Sequence, residues 1–184
     1  MFNMGAVRRE GFQNSQVDTV LKRLHEVASI REKELNEDTL IYNANMTEMK
    51  PEVGHQLPIE MYREGYEYYV ETHFHPNSHS CFLQRNLMDL MVYDPVQFMY
   101  LLDQPLLMMV GDHADTNYMS EQAFELAITT KEKELYYLKD ATHIQTYYKE
   151  SVVKEAIEKL DIFYKIKLVK KCKSNYCLSK QTKR

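Results

Sequence analysis

Tryptophan is absent from the 184 residues, glycine occurs five times and cysteine three times. The scarcity of glycine excludes the most. Soluble domains average about 7 % glycine, so chemistry that needs glycine-rich loops for tight turns or close backbone approach to a ligand has few residues to work with here. Cys81, Cys172 and Cys177 form an odd set without C-x-x-C spacing. That pattern argues against a disulfide framework or a structural zinc knuckle and leaves reduced, non-catalytic thiols as the expectation. Neither charge sign is in marked excess, with 23 basic against 27 acidic residues and a formal charge of −4, so no nucleic-acid partner is expected. Met1 to Glu10 holds two arginines and no long apolar run. Neither a secretory leader nor a membrane segment is read there, and a cytoplasmic location is expected.

At 44 % hydrophobic and 27 % charged residues the composition is that of a folded domain rather than a disordered chain. Val17 to Asn36 places Val17, Val20, Leu21, Leu24, Val27, Ala28 and Leu35 at helical spacing with charges between them, which predicts an amphipathic helix. A polar stretch from Met46 to Gln56, holding Pro51 and Gly54, reads as a connection. It leads into a second helical segment at Pro58 to Thr72, rich in tyrosine. His73 to Ser80 breaks the pattern, and Phe82 to Leu102 is again apolar at helical spacing. Residues 1–103 are therefore expected to be helices and loops.

The character changes at Gln104. Gln104 to Val110 is a short continuous apolar run closed by Gly111, as expected for a strand buried on both faces of a parallel sheet. Ser120 could cap a helix running to about Thr129, Glu134 to Leu138 reads as a second strand, and Ser151 to Tyr164 as a final helix with Val153, Ala156, Ile157, Leu160 and Phe163 on one face. Strand, helix, strand, helix is the order of a parallel α/β sheet, assigned to residues 104–168. Two parallel strands alone leave sheet edges unpaired, so part of this sheet is missing. The basic end, residues 169–184, is expected to be a disordered tail.

An acid and a histidine follow consecutive strands: Gly111 to Thr116 after the first, Lys139 to His143 after the second. Loops past the C-terminal strand ends are where α/β folds converge on a crevice. Asp115 and His143 stand where the late acid and the histidine of a nucleophile–acid–histidine triad would fall, the histidine as general base and the acid as its orienter.

Residues Tyr62 to Tyr164 resemble the C-terminal part of bacterial α/β-hydrolases of the dienelactone-hydrolase-like group. The resemblance is carried by EGYEYY (64–69), HP (75–76), YDPVQFM (93–99), QPLLMMVGDHADT (104–116), MSEQAF (119–124) and KDATHIQTYY (139–148). The opening residues 1–12 are similar to the segment after that group's sixth strand. The resemblance implies a partial α/β-hydrolase fold, with a helical cap region followed by the last two parallel strands and their helices. It implies His143 as catalytic histidine and Asp115 as the acid, with Asp112 as the alternative acid. Asp140 stands where the group often has glycine. The group's nucleophile lies in a G-x-S-x-G elbow. No serine or cysteine here is so flanked, since the glycines are Gly5, Gly11, Gly54, Gly65 and Gly111.

His73, His75, His79 and Cys81 are close enough in sequence to suggest a metal, but H-x-H-x-x-x-H-x-C is not a recognised zinc spacing, and a loop over the site entrance is the expected role. The tyrosines and methionines are expected to line core or pocket. No metal or cofactor is expected. Three uses follow: an inactive hydrolase fragment, a half-enzyme completed by an N-terminal hydrolase half or self-associating through its sheet edge, or a non-catalytic binding module.

Overall fold

The computed structural model describes residues 7, 17–78 and 80–175, with side chains described at 7, 20–78 and 80–168. The chain divides into two compact units, one ending at Met99 and the other beginning at Tyr100, four residues ahead of the boundary expected at 103. No helix among the described residues is long and apolar enough to cross a membrane.

The first unit is built on helix α1, Val17–Glu37, within one residue of its expected bounds. Its buried face differs from the expected one. Val27 is buried, but Leu21 and Leu35 are exposed and Glu34 lies inside at 6 % exposure. A carboxylate can occupy that position because its oxygens are satisfied. Glu34 Oε1 accepts the Ile41 N–H at 2.8 Å, and Oε2 lies 3.4 Å from Arg85 Nη1. Arg31 secures the same region by donating to the Arg85 carbonyl from Nε at 3.2 Å and from Nη2 at 3.0 Å. These bonds adjoin an antiparallel bridge between Tyr42 and Leu83, which ties the segment after α1 to residues some forty positions later.

The expected connection at Met46 to Gln56 contains two short turns of helix, Met46–Glu48 and Pro51–Gly54, the second begun by proline at its favoured first position. Helix α2, Glu60–Tyr66, passes directly into a π-helical segment, Glu67–Thr72. Tyr66 is 2 % exposed and covers Gly54 so closely that a Cβ there would stand 2.6 Å from its ring. The run Phe82 to Leu102 is not one helix. It contains a 3₁₀ turn at Gln84–Asn86, helix α3 at Leu87–Val92 and another 3₁₀ turn at Met99–Leu101. Pro95 removes a backbone donor and disfavours helix at Asp94, whose carboxylate instead accepts the Val96 N–H at 3.1 Å.

In the second unit, strands β1, Leu106–Gly111, and β2, Lys133–Leu138, pair in parallel from Leu106 against Lys133 to Gly111 against Leu138. Helix α4, Asn117–Leu126, crosses between them. It starts earlier than expected, so Ser120 is an interior residue, fully buried, and not the cap. Helix α5, Gln145–Tyr148, and helix α6, Glu150–Asn175, complete the unit. Leu138, Ala141 and Val152 form the core, with Met109, Tyr136 and Ala156 against them. The packed face of α6 is turned from the expected one, with Val152 inside and Ile157 60 % exposed. The helix continues well past Tyr164 and takes in residues 169–175, so that part of the expected disordered tail is helical. Residues 176–184 lie outside the described residues. The mixed helix and parallel-strand arrangement agrees with a partial α/β fold, and among the described residues the sheet has two strands.

Truncating Glu34 to alanine strands the Ile41 N–H, so Glu34→Ala should lose roughly 2 kcal/mol in urea unfolding, and Glu34→Gln, which keeps an acceptor, clearly less. Equal losses would mean that the charge on Glu34 matters and the bond to Ile41 does not.

Candidate functional site

Asp112, Asp115 and His143 are all carried by the loops that leave the C-terminal ends of β1 and β2. These loops are joined at Ala141. Its N–H donates to Asp112 Oδ1 at 3.1 Å, its carbonyl accepts the His113 N–H at 3.1 Å, and one residue pair earlier the Asp112 N–H reaches the Leu138 carbonyl at 3.0 Å. Gly111 is what permits this approach, because a Cβ at that position would lie 2.1 Å from the Ala141 oxygen. Asp140 has φ +49°, the left-handed region that aspartate enters more readily than most residues.

Beyond Ala141 the segment Thr142-His143-Ile144-Gln145 closes on itself. The Gln145 N–H donates to Thr142 Oγ1 at 3.3 Å and the Thr142 N–H to Gln145 Oε1 at 3.5 Å, a reciprocal capping arrangement. Thr146 Oγ1 donates to the His143 carbonyl at 2.7 Å. His143 is thereby set at the start of a short helical turn with its ring half-buried.

Among the described residues the ring has two hydroxyl neighbours. Nδ1 is 3.1 Å from Thr116 Oγ1, and Nε2 is 2.7 Å from the Tyr147 hydroxyl, with the two rings edge to face at 5.4 Å. Burial pushes the imidazole pKa below its ordinary value, and the negative charge of Asp115 opposes that. Asp115 is exposed and acts on His143 through its charge; the hydrogen bond found at Nδ1 goes to Thr116. Asp112 serves the loop. The Ala141 N–H, above all, holds its carboxyl below the ordinary value, partial burial works against this, and the His113 imidazole, 3.4 Å from Oδ1, assists.

Sequence reasoning placed the acid loop and the histidine together and missed Thr116 and Tyr147. The Tyr147 signal was available, since residues four apart share a helix face. Asp112, His113 and Asp140 also bring one potential ligand atom each within 4.8 Å of one another, a proximity already explained by the link at Ala141. His73, His75 and Cys81 are engaged separately. His73 stacks on Tyr68 at 4.4 Å, His75 Nδ1 accepts the Asn77 N–H at 3.1 Å, and Cys81 faces the Asn43 carbonyl at 3.6 Å. His79 lies outside the described residues.

A solved structure, that of hypothetical protein PA2218 from Pseudomonas aeruginosa, is similar to this chain, with a TM-score of 0.76 over 91 % of the chain and 51 % of that protein at 20 % identity. The likeness is one of fold, and the chain spans about half the length of that protein. No family model matches the sequence, and no curated protein does.

Two tests address the link between the loops. Gly111→Ala should cost about 2 kcal/mol or more in denaturant unfolding, and a neutral result would mean that the Ala141 contact can yield. Because the Asp112 pKa is depressed on folding, its contribution is present above the unfolded aspartate value of about 3.9 and fades as pH falls through the folded value. The stability gap between wild type and Asp112→Asn should therefore hold at neutral pH and close in acid, and a gap that widens in acid would reverse the assignment.

Proposed function

We propose that this chain is the C-terminal part of a serine-type α/β-hydrolase of the dienelactone-hydrolase-like group. In this reading it acts on an ester or related acyl bond when joined to an N-terminal hydrolase half that carries the nucleophile, and is inactive alone. The observation that supports it is the pairing of β1 and β2 in parallel, with Asp115 and His143 on the two loops that follow and a half-buried imidazole between them.

His143 would take the proton of the partner's nucleophilic hydroxyl at Nε2 and return it to the leaving group. Asp115 would stabilise the imidazolium formed in between by its charge. Asp112, bonded to Ala141 N–H, is better placed to fix the loop than to orient the ring, which favours Asp115 over its alternative. The reaction would pass through an acyl-enzyme on the partner's side chain. The half-length match to the Pseudomonas aeruginosa protein and the strongly exposed Ile128, Ile157 and Leu168 support an incomplete fold that gains stability by docking, in preference to a free-standing binding module.

The purified chain should hydrolyse short p-nitrophenyl esters no faster than buffer. Coexpressed with a polypeptide carrying a strand, a G-x-S-x-G elbow and a helix, it should copurify and show esterase activity that His143→Ala abolishes. Activity of the chain alone that depends on His143 would overturn the absence of a nucleophile, and a copurified complex indifferent to His143→Ala would overturn the assigned base.

A further inference from the structure

A neutral imidazole has one N–H and one lone pair, so of two hydroxyls flanking it one must accept and the other donate. At His143 there are two solutions. Either Thr116 accepts from Nδ1–H and Tyr147 donates to Nε2, or both bonds run the other way. The chemistry separates them. A phenol, with a pKa near 10, is a far better donor than an aliphatic alcohol, and the Tyr147 contact is the shorter, 2.7 Å against 3.1 Å. Thr116 suits the opposite role. It is 2 % exposed and stands at the N-cap of α4, where a threonine oxygen normally accepts a helix amide, yet its side chain makes no capping bond. Its oxygen is turned to the imidazole instead.

We propose that Thr116 is a positioning residue that accepts from Nδ1–H and fixes His143 in the tautomer with its lone pair at Nε2, while the Tyr147 hydroxyl donates to that lone pair. Thr116 thus performs the orienting task that a triad acid performs through a direct bond, and Asp115 adds charge from beside it. Tyr147, half-exposed on a four-residue helix, occupies the place at Nε2 that a nucleophile's hydroxyl would take, and has to withdraw when one arrives. The functional meaning rests on His143 being the base proposed above; the hydrogen-bond directions do not.

The test is imidazole ¹⁵N spectroscopy of the full chain across pH, for wild type, Thr116→Val, Thr116→Ser and Tyr147→Phe. The flanking charged groups Asp112, His113, Asp115 and Asp140 are unchanged in all four. Wild type should show a protonated Nδ1 and a bare Nε2 above the His143 pKa. Tyr147→Phe removes the donor at Nε2, so part of the neutral ring's proton should move from Nδ1 to Nε2. Thr116→Val removes an acceptor, so the pKa should fall and the proton should move toward Nε2, with Thr116→Ser restoring both. A wild-type ring protonated at Nε2, or tautomer shifts of the opposite sign in the variants, would overturn the assignment. If Thr116→Val does not fold, the wild-type tautomer and the Tyr147→Phe tautomer shift still decide. No readout needs hydrolysis, so failure to reconstitute an esterase leaves this result standing, and a wrong tautomer leaves the hydrolase reading standing.

Discussion

Ala141 is held from both sides, its N–H by the Asp112 carboxylate and its carbonyl by the His113 N–H. This double attachment joins the two loops that leave the sheet of the second unit. Parallel strands fan apart as they leave the sheet unless something ties their ends, and here the tie is made by main-chain groups that cannot be left unpaired when buried. Two backbone conditions make it possible. Gly111 has no side chain to hold the loops apart, and Asp140 turns through the left-handed region to bring Ala141 round. His143, two residues on, inherits its position from that geometry.

The same logic operates in the first unit with different materials. There the tie is Glu34, a carboxylate in a place where the helical pattern asks for an apolar residue, and it holds the Ile41 N–H and Arg85 together. In both units an acidic side chain satisfies a backbone donor outside its own element, seven residues on at Ile41 and twenty-nine on at Ala141. Such bonds contribute modestly on balance but are costly to break, because the donor they satisfy is left dry.

The alternation of strand and helix was legible because a short apolar run closed by glycine has few other readings. Both strands lie within two residues of where the pattern put them, and α1 matches to within one. The acid loop and the histidine were legible for the same reason, as both follow strand ends. What was not legible depends on tertiary contacts. Periodicity assigned Leu21 and Leu35 to the buried face of α1, yet both are exposed while Glu34 is buried. It ran a helix through Pro95, where an aspartate turn won. It made Ser120 a cap, while the residue in the capping position, Thr116, has its oxygen on an imidazole 27 positions away. The basic end of the chain suggested disorder by composition, yet α6 carries on through residues 169–175.

Every pair in the sheet, from Leu106 with Lys133 to Gly111 with Leu138, joins residues separated by the same 27 positions. There is no hairpin from which pairing could start and spread. Helix α4 can form from its own neighbours within about a microsecond, but the sheet must wait until that whole crossover is closed, when the loop entropy is spent before any ladder bond is gained. The second unit is therefore a slow-folding design for its size, and during that wait the apolar run of β1 and residues Leu135 to Leu138 of β2 have no partner of their own. For a chain of this kind the critical interval lies during synthesis, when whatever covers those strands first determines what the protein becomes.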